Sequence, residues 1–225
     1  MSCDSMDVSI VSPSGTEADK ILAMGLSHDE SLIVAGKLSD PLLASAVVQE
    51  LNKRNEKNQM DQIDRNNEEK YAKAVLVSND GNSFTGPLIF STKNRGLLRN
   101  LELATDNEEY FLYGLKHNDE IFNHQLQLTI EYSSDSIRNY FGANYCDEWG
   151  RCDGESIEVD LISSSASACT SSDCIYKEVM EVSLNDDFLI KAKDKGFTLI
   201  FKSKKANNKI EVPQPYLKGY LSIAK

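Results

Sequence analysis

From Gln125 to Tyr132 the chain alternates apolar and polar positions, with Leu126, Leu128, Ile130 and Tyr132 on one side and Gln127, Thr129 and Glu131 on the other. A period of two with one wet side predicts a β-strand in a sheet buried on one face. Similar runs predict strands at about 74–78, 86–91, 97–103, 110–116, 156–162, 176–184, 197–202 and 208–212. Turn signals such as Asn79-Asp80-Gly81-Asn82, Asn94-Arg95-Gly96 and Ala206-Asn207-Asn208 separate them. About nine short strands at regular spacing point to a mainly antiparallel β-sandwich or open barrel. Within it, Asn185 or Asp186 is placed to cap one short helix carrying Phe188, Leu189 and Ala192 and ending at Gly196.

Residues 16–70 follow a different period. Thr16-x-x-Asp19 and Ser27-x-x-Glu30 read as capping boxes, Gly25 and Gly36 as helix stops, and Asp40-Pro41 as an N-cap followed by proline at the first helical position. After Pro41, the positions Leu43, Val47 and Leu51 recur at helical spacing and predict an amphipathic helix. From Asn52 the chain becomes polar, so the helix either continues solvated or gives way to a linker, with a boundary near residue 70. The expected organisation is α+β: an N-terminal tether over 1–15, a helical segment over 16–70 and a β-sandwich-like domain over 71–225.

Charge narrows the partners. Among 225 residues, 35 acidic side chains face 24 basic ones, a net charge of −11. Binding to nucleic acid or anionic lipid depends on Lys and Arg meeting phosphates, so the balance argues against both and leaves a basic macromolecule open. No apolar run approaches the roughly 20 residues that span a bilayer. Met1-Ser2-Cys3-Asp4 lacks the charged and apolar regions of a secretory signal.

Of the five cysteines, Cys146, Cys152, Cys169 and Cys174 cluster and Cys3 stands apart. The two close pairs flank polar, turn-rich segments, which suits two small disulfide-closed loops in an oxidising compartment. A four-cysteine zinc site prefers tighter pairs, and unpaired reduced thiols are the third reading. Ile157, Val159 and Leu161 predict a strand between the pairs, and eight extended residues span about 26 Å. A bridge needs its Cα atoms within about 7 Å, so Cys146 with Cys152 and Cys169 with Cys174 is the favoured pairing.

An odd cysteine in such a compartment needs a partner or a cap. Ser2-Cys3-Asp4-Ser5, followed by a polar stretch, resembles the start of a mature bacterial lipoprotein, in which the cysteine after a small residue is acylated. The ending, Pro213-Gln214-Pro215-Tyr216-Leu217-Lys218-Gly219-Tyr220-Leu221, resembles the ending of several uncharacterised proteobacterial cell-envelope proteins. The resemblance implies a periplasmic protein with Cys3 as its lipidation site, held at the outer membrane through that lipid alone. It brings no activity with it. Tyr216, Tyr220 and Leu221 are also the residues expected to plug one end of the sandwich. The absence of any Asn-x-Ser/Thr sequon agrees with a bacterial source.

Motifs for chemistry are sparse. No phosphate-cradling glycine loop and no Gly-x-Ser-x-Gly elbow occurs, and no cofactor or metal site is expected. His117-Asn118-Asp119-Glu120-Ile121-Phe122-Asn123-His124 offers imidazoles and carboxylates, but its spacing matches no helical metal motif and reads as a polar loop between strands. Asp80-Gly81-Asn82 and Asp153-Gly154-Glu155 lack the alternating oxygens of a calcium loop and read as turns.

A bridge between Cys146 and Cys152 would place Tyr145, Glu148, Trp149 and Arg151 on or beside a constrained loop, which makes them candidate partner-binding residues. Packing of the indole on its own loop is the alternative. The function expected is a non-enzymatic envelope protein that binds another macromolecule, including as an inhibitor of a cationic enzyme. The alternatives are an envelope hydrolase built from scattered carboxylates and histidines, and an intracellular zinc-bearing interaction module.

Overall fold

The computed structural model describes residues 12–90, 106–117, 120–147, 149–154 and 156–224. Cys3, Glu148 and the strand expected at 97–103 lie outside the described residues. The chain divides into two compact units, Met1–Asp64 and Arg65–Lys225.

The first unit is helical. Helix α1 (Pro13–Leu22) begins one turn earlier than its expected capping box, because Ser12 caps it by accepting the Gly15 N–H at 3.2 Å and Pro13 opens it. Thr16 therefore lies inside the helix. In α2 (His28–Ala35) the expected capping box is present: Glu30 N–H donates to Ser27 Oγ at 3.3 Å, and Ser27 N–H donates to Glu30 Oε2 at 2.9 Å. Asp40 caps α3 (Pro41–Ala74), accepting from Leu42 N–H at 2.9 Å.

Ala18, Ile21, Ala35, Val47 and Leu51 form this unit's core. Arg54 spans Glu50 at 2.7 Å and Asp19 at 2.5 Å along its rim. The polar stretch after Asn52 is helical throughout, and α3 continues past residue 70. Straight-chain Lys, Glu, Gln and Arg keep helical propensity without an apolar stripe.

The second unit opens with the last turns of α3. Its strands are β1 (Leu76–Val77), β2 (Ser83–Thr85), β3 (Ile89–Phe90), β4 (Asn107–His117), β5 (Glu120–Ser134), β6 (Gly142–Cys146), β7 (Ser156–Ile157), β8 (Asp160–Ser167), β9 (Cys174–Leu184), β10 (Phe197–Lys202) and β11 (Asn207–Val212). Helix α4 (Asp186–Ala192), capped by Asn185, precedes β10, and α5 (Gln214–Ile223) follows β11. Among the described residues the larger sheet runs β1-β2-β4-β5-β9-β8, with β3 also on β4, and the smaller runs β11-β10-β6-β7. All pairings are antiparallel. The fold is thus an N-terminal helical segment followed by an open β-sandwich, not a closed barrel.

The alternation of β5 is used as expected: Leu126, Leu128, Ile130 and Tyr132 face the core, beside Tyr110 and Leu112 of β4 and Met180 and Val182 of β9. Leu199 and Phe201 of β10 and Ile210 and Val212 of β11 belong to the same core. The tail residues Tyr216 and Tyr220 are fully buried and Leu221 is partly buried against the same core, all three carried by α5. Tyr216 Oη donates to Pro87 O at 3.1 Å and accepts from Leu112 N–H at 2.9 Å.

Two expectations are corrected. The strand expected at 156–162 is split between β7 and β8, with β8 running on through the serine-rich stretch to Ser167, and His124, read as part of a polar loop, sits inside β5 at 2% exposure.

A polar joint links the two sheets. Arg138 holds Asp106 through two hydrogen bonds, one of 2.9 Å, and lies 3.9 Å above the Tyr132 ring. Asn208 of β11 reaches Asp106 at 2.8 Å and Glu108 at 2.6 Å, and accepts from Tyr140 Oη. Tyr132 Oη donates to Glu178, whose other oxygen has no hydrogen-bond partner among the described residues.

Candidate functional site

Strand β6 ends where the outer face of the smaller sheet begins to matter. Cys146 pairs across with Thr198 of β10, and Thr198 pairs in turn with Glu211 of β11. In the next row outward from the core lie Ile200 and Lys209, because the alternate positions Leu199, Phe201, Ile210 and Val212 point inward.

The segment after Cys146 turns back on itself and is closed by a disulfide from Cys146 to Cys152. A second disulfide closes Cys169 to Cys174 before β9. This is the pairing that the reach of the intervening strand favours. It engages all four thiols, so they form no four-cysteine zinc site. Among the described residues no group of three or more His, Cys, Asp or Glu side chains is gathered as metal ligands.

Asp147 organises the first loop from within. Its Oδ1 accepts the backbone N–H of Trp149 at 2.9 Å and that of Arg151 at 2.8 Å, while its Oδ2 accepts Arg151 Nε at 2.9 Å. Asp147 N–H donates to Arg151 O at 2.8 Å, and Gly150 takes a positive φ of 78° that costs glycine little. Partial burial pushes the Asp147 carboxyl up, but these donors and the Arg151 charge outweigh it and hold the group below its ordinary value.

The loop presents Trp149 at 78% exposure. The indole is therefore displayed rather than folded onto its own disulfide. Beside it lies an open groove of about 780 Å³ lined by Trp149, Arg151, Lys195, Phe197, Lys209 and Glu211, among others.

The expected contact residues separate in the structure. Trp149 and Arg151 line the groove. Tyr145 does not: its half-buried ring packs 4.0 Å, centroid to centroid, from Phe188 and 6.5 Å from Phe197, so it supports the loop from the core side. Lys195, Lys209 and Glu211 belong to the groove and were not singled out from the sequence. Their charges sit in an α4–β10 turn and on one face of a hairpin, which only the pairing register brings beside Trp149.

Two other clusters gather titratable side chains. The Arg138 joint gathers carboxylates, tyrosines and a guanidinium, but Glu178 is fully buried and the cluster acts as a fastening between sheets. Burial pushes the Tyr140 hydroxyl up to about 12, partly offset by Arg138. The second cluster is His124, whose Nδ1 lies 2.9 Å from Tyr220 Oη and whose Nε2 lies 3.4 Å from Asp186 Oδ1 without hydrogen-bond geometry. Burial lowers the His124 pKa, partly offset by Asp186, so the neutral ring is part of the core.

The class defined here is an α+β protein with an open, disulfide-closed antiparallel sandwich and an exposed tryptophan loop. Comparison of the chain with protein-family models, with curated proteins and with solved structures finds no match. No helix among the described residues is long and apolar enough to cross a membrane.

Proposed function

We propose that the chain is a non-enzymatic bacterial cell-envelope protein that binds a macromolecular partner through the Cys146–Cys152 loop. The observation that carries this reading is Trp149, 78% exposed on a loop that its disulfide and Asp147 hold in one shape. A large aromatic side chain on a pre-ordered loop offers contact area at low entropic cost. Such a loop also suits entry into the cleft of an enzyme to be inhibited.

Two disulfides fit an oxidising compartment, and the periplasm is the one proposed. The resemblance at Ser2-Cys3-Asp4-Ser5 supports a lipid tether there. The net charge of −11 steers a basic partner toward the surface as a whole.

The test is capture from a cell-envelope fraction by the oxidised chain, by Trp149→Ala and by Phe141→Ala. Phe141 is a second exposed aromatic residue, at 60%, and does not line the groove. The species retained by the wild type and by Phe141→Ala are expected to be lost with Trp149→Ala. Equal capture by Trp149→Ala would overturn the reading.

A further inference from the structure

We infer that the outer edge of β8 is an interface for a second copy of this chain, the two β8 strands pairing antiparallel about a two-fold axis at Ser165 and joining their larger sheets edge to edge. The inference is independent of the Trp149 reading, because its observation is an uncovered strand in another sheet of the same unit.

Natural sheet edges are kept short, charged, bulged or covered, because an open row of N–H and C=O groups invites another strand. The other edges here follow that rule. Strands β1, β3 and β7 have two residues each. Strand β11 carries Lys209 and Glu211, and its Glu211 carbonyl accepts Tyr110 Oη at 2.6 Å. Strand β8 follows the rule only at its start, where Asp160 and a bulge between Leu161 and Ser163 stand. From Ser163 to Ser167 the edge is neutral, regular in register and without proline, and among the described residues β9 is the only strand that pairs with β8. The Cys169–Cys174 bridge closes the β8–β9 hairpin just past the pairing of Ser167 with Ile175, so the edge is held extended before a partner arrives.

The strand itself indicates the occupant. All eight residues of β8 are exposed, on both faces, so no walls stand beside the edge to form the side-chain pockets by which a foreign peptide is selected. An identical strand needs none. About an axis at Ser165, Ser163 meets Ser167, Ser164 meets Ala166 and Ser165 meets its own mate, small neutral pairs that keep each side chain on its own face. The net charge of −11 opposes a second copy, but the pairing keeps the local charges apart. Asp160, the only charged residue of β8, would lie about 34 Å from its mate, and Lys177, opposite Ser165 on β9, about 14 Å from its own. Both distances exceed the screening length of about 8 Å at physiological salt. The two-fold uses up both β8 edges and leaves only short or charged ones, so association closes at two copies.

The test is sedimentation of the oxidised full chain over a range of concentrations at low and high salt, with variants checked for folding by circular dichroism. Ser165→Glu sets two like charges opposite each other at the axis, while within one chain it faces Lys177 and favours the hairpin. Asn58→Glu adds the same charge at an exposed position of α3 as the control. Ser165→Cys, in a Cys3→Ser background, places two thiols across the axis within reach of a disulfide.

A reversible monomer–dimer equilibrium that strengthens with salt is expected, because screening relieves the repulsion between two acidic chains. Ser165→Glu should weaken it about tenfold or more, and Asn58→Glu should change it far less. Ser165→Cys should form a covalent dimer under oxidation. A chain that stays monomeric at every concentration and salt, growth beyond the dimer, association that Ser165→Glu leaves intact or that Asn58→Glu weakens equally, or no cross-link through position 165 would overturn the inference.

Discussion

Asp147 Oδ1 receives the backbone N–H of Trp149 at 2.9 Å, so the carboxylate that ties the loop together is also what fixes the base of the displayed indole. Removing it leaves the disulfide in place but frees the residues between its ends. Asp147→Ala is expected to weaken partner capture about tenfold through lost pre-ordering, with the fold intact. The check is fluorescence anisotropy decay of Trp149, which should show faster local motion in the variant. The Asp147 pKa is held below 3.8, so the tie is present above that pH and is lost only as pH falls through the lower, folded-state value.

Arg138→Leu removes the cation that faces Asp106, with Glu108 and Glu178 nearby in the joint. The Arg138 and Asp106 side chains are 13% and 18% exposed, so the carboxylate left behind is poorly solvated. Breaking one side of such a pair costs about 3–5 kcal/mol. Denaturant unfolding should show a midpoint lowered accordingly.

Gly219→Ala tests the seat of α5 on the last turns of α3. A Cβ there would lie 2.7 Å from Glu68 O and 2.8 Å from Ala72 N. Helix propensity alone favours alanine by about 1 kcal/mol, whereas overpacking against backbone costs about 1–3 kcal/mol. Net destabilisation is expected, read as a lower denaturant midpoint at an unchanged slope.

His124 makes stability depend on pH. Burial lowers its pKa from 6.5 in the folded state, so below about pH 6.5 the unfolded chain binds more protons than the folded one. This contribution is complete above pH 6.5 and is lost as pH falls toward the folded-state value. Thermal midpoints at pH 7.5 and 5.5 should differ more for the wild type than for His124→Gln.

Much of the sandwich was legible because burial imposes a period. Leu126, Leu128 and Ile130 announce β5, and Ser27 with Glu30 announces α2. The continuation of β8 beyond the strand read at 156–162 was hidden because every residue from Asp160 to Ser167 is exposed at a sheet edge, so no apolar alternation is required of it. His124 misled because a polar side chain occupies an inward position, made tolerable by Tyr220. Helix α5 was obscured by Pro213, Pro215 and Gly219, residues used here for helix entry and close packing. Of the site, the constrained loop could be read from the spacing of Cys146 and Cys152. The lysines joining it could not, because only β-sheet register brings Lys209 next to Trp149.

The most direct measurement uses the single tryptophan again. The oxidised chain carrying 5-fluorotryptophan has one ¹⁹F resonance, from position 149. A sharp resonance of a solvent-exposed indole, shifting or broadening when unlabelled envelope extract is added, is the result predicted. A resonance that stays unchanged while the same chain is retained in a complex would place the contact elsewhere and contradict the account.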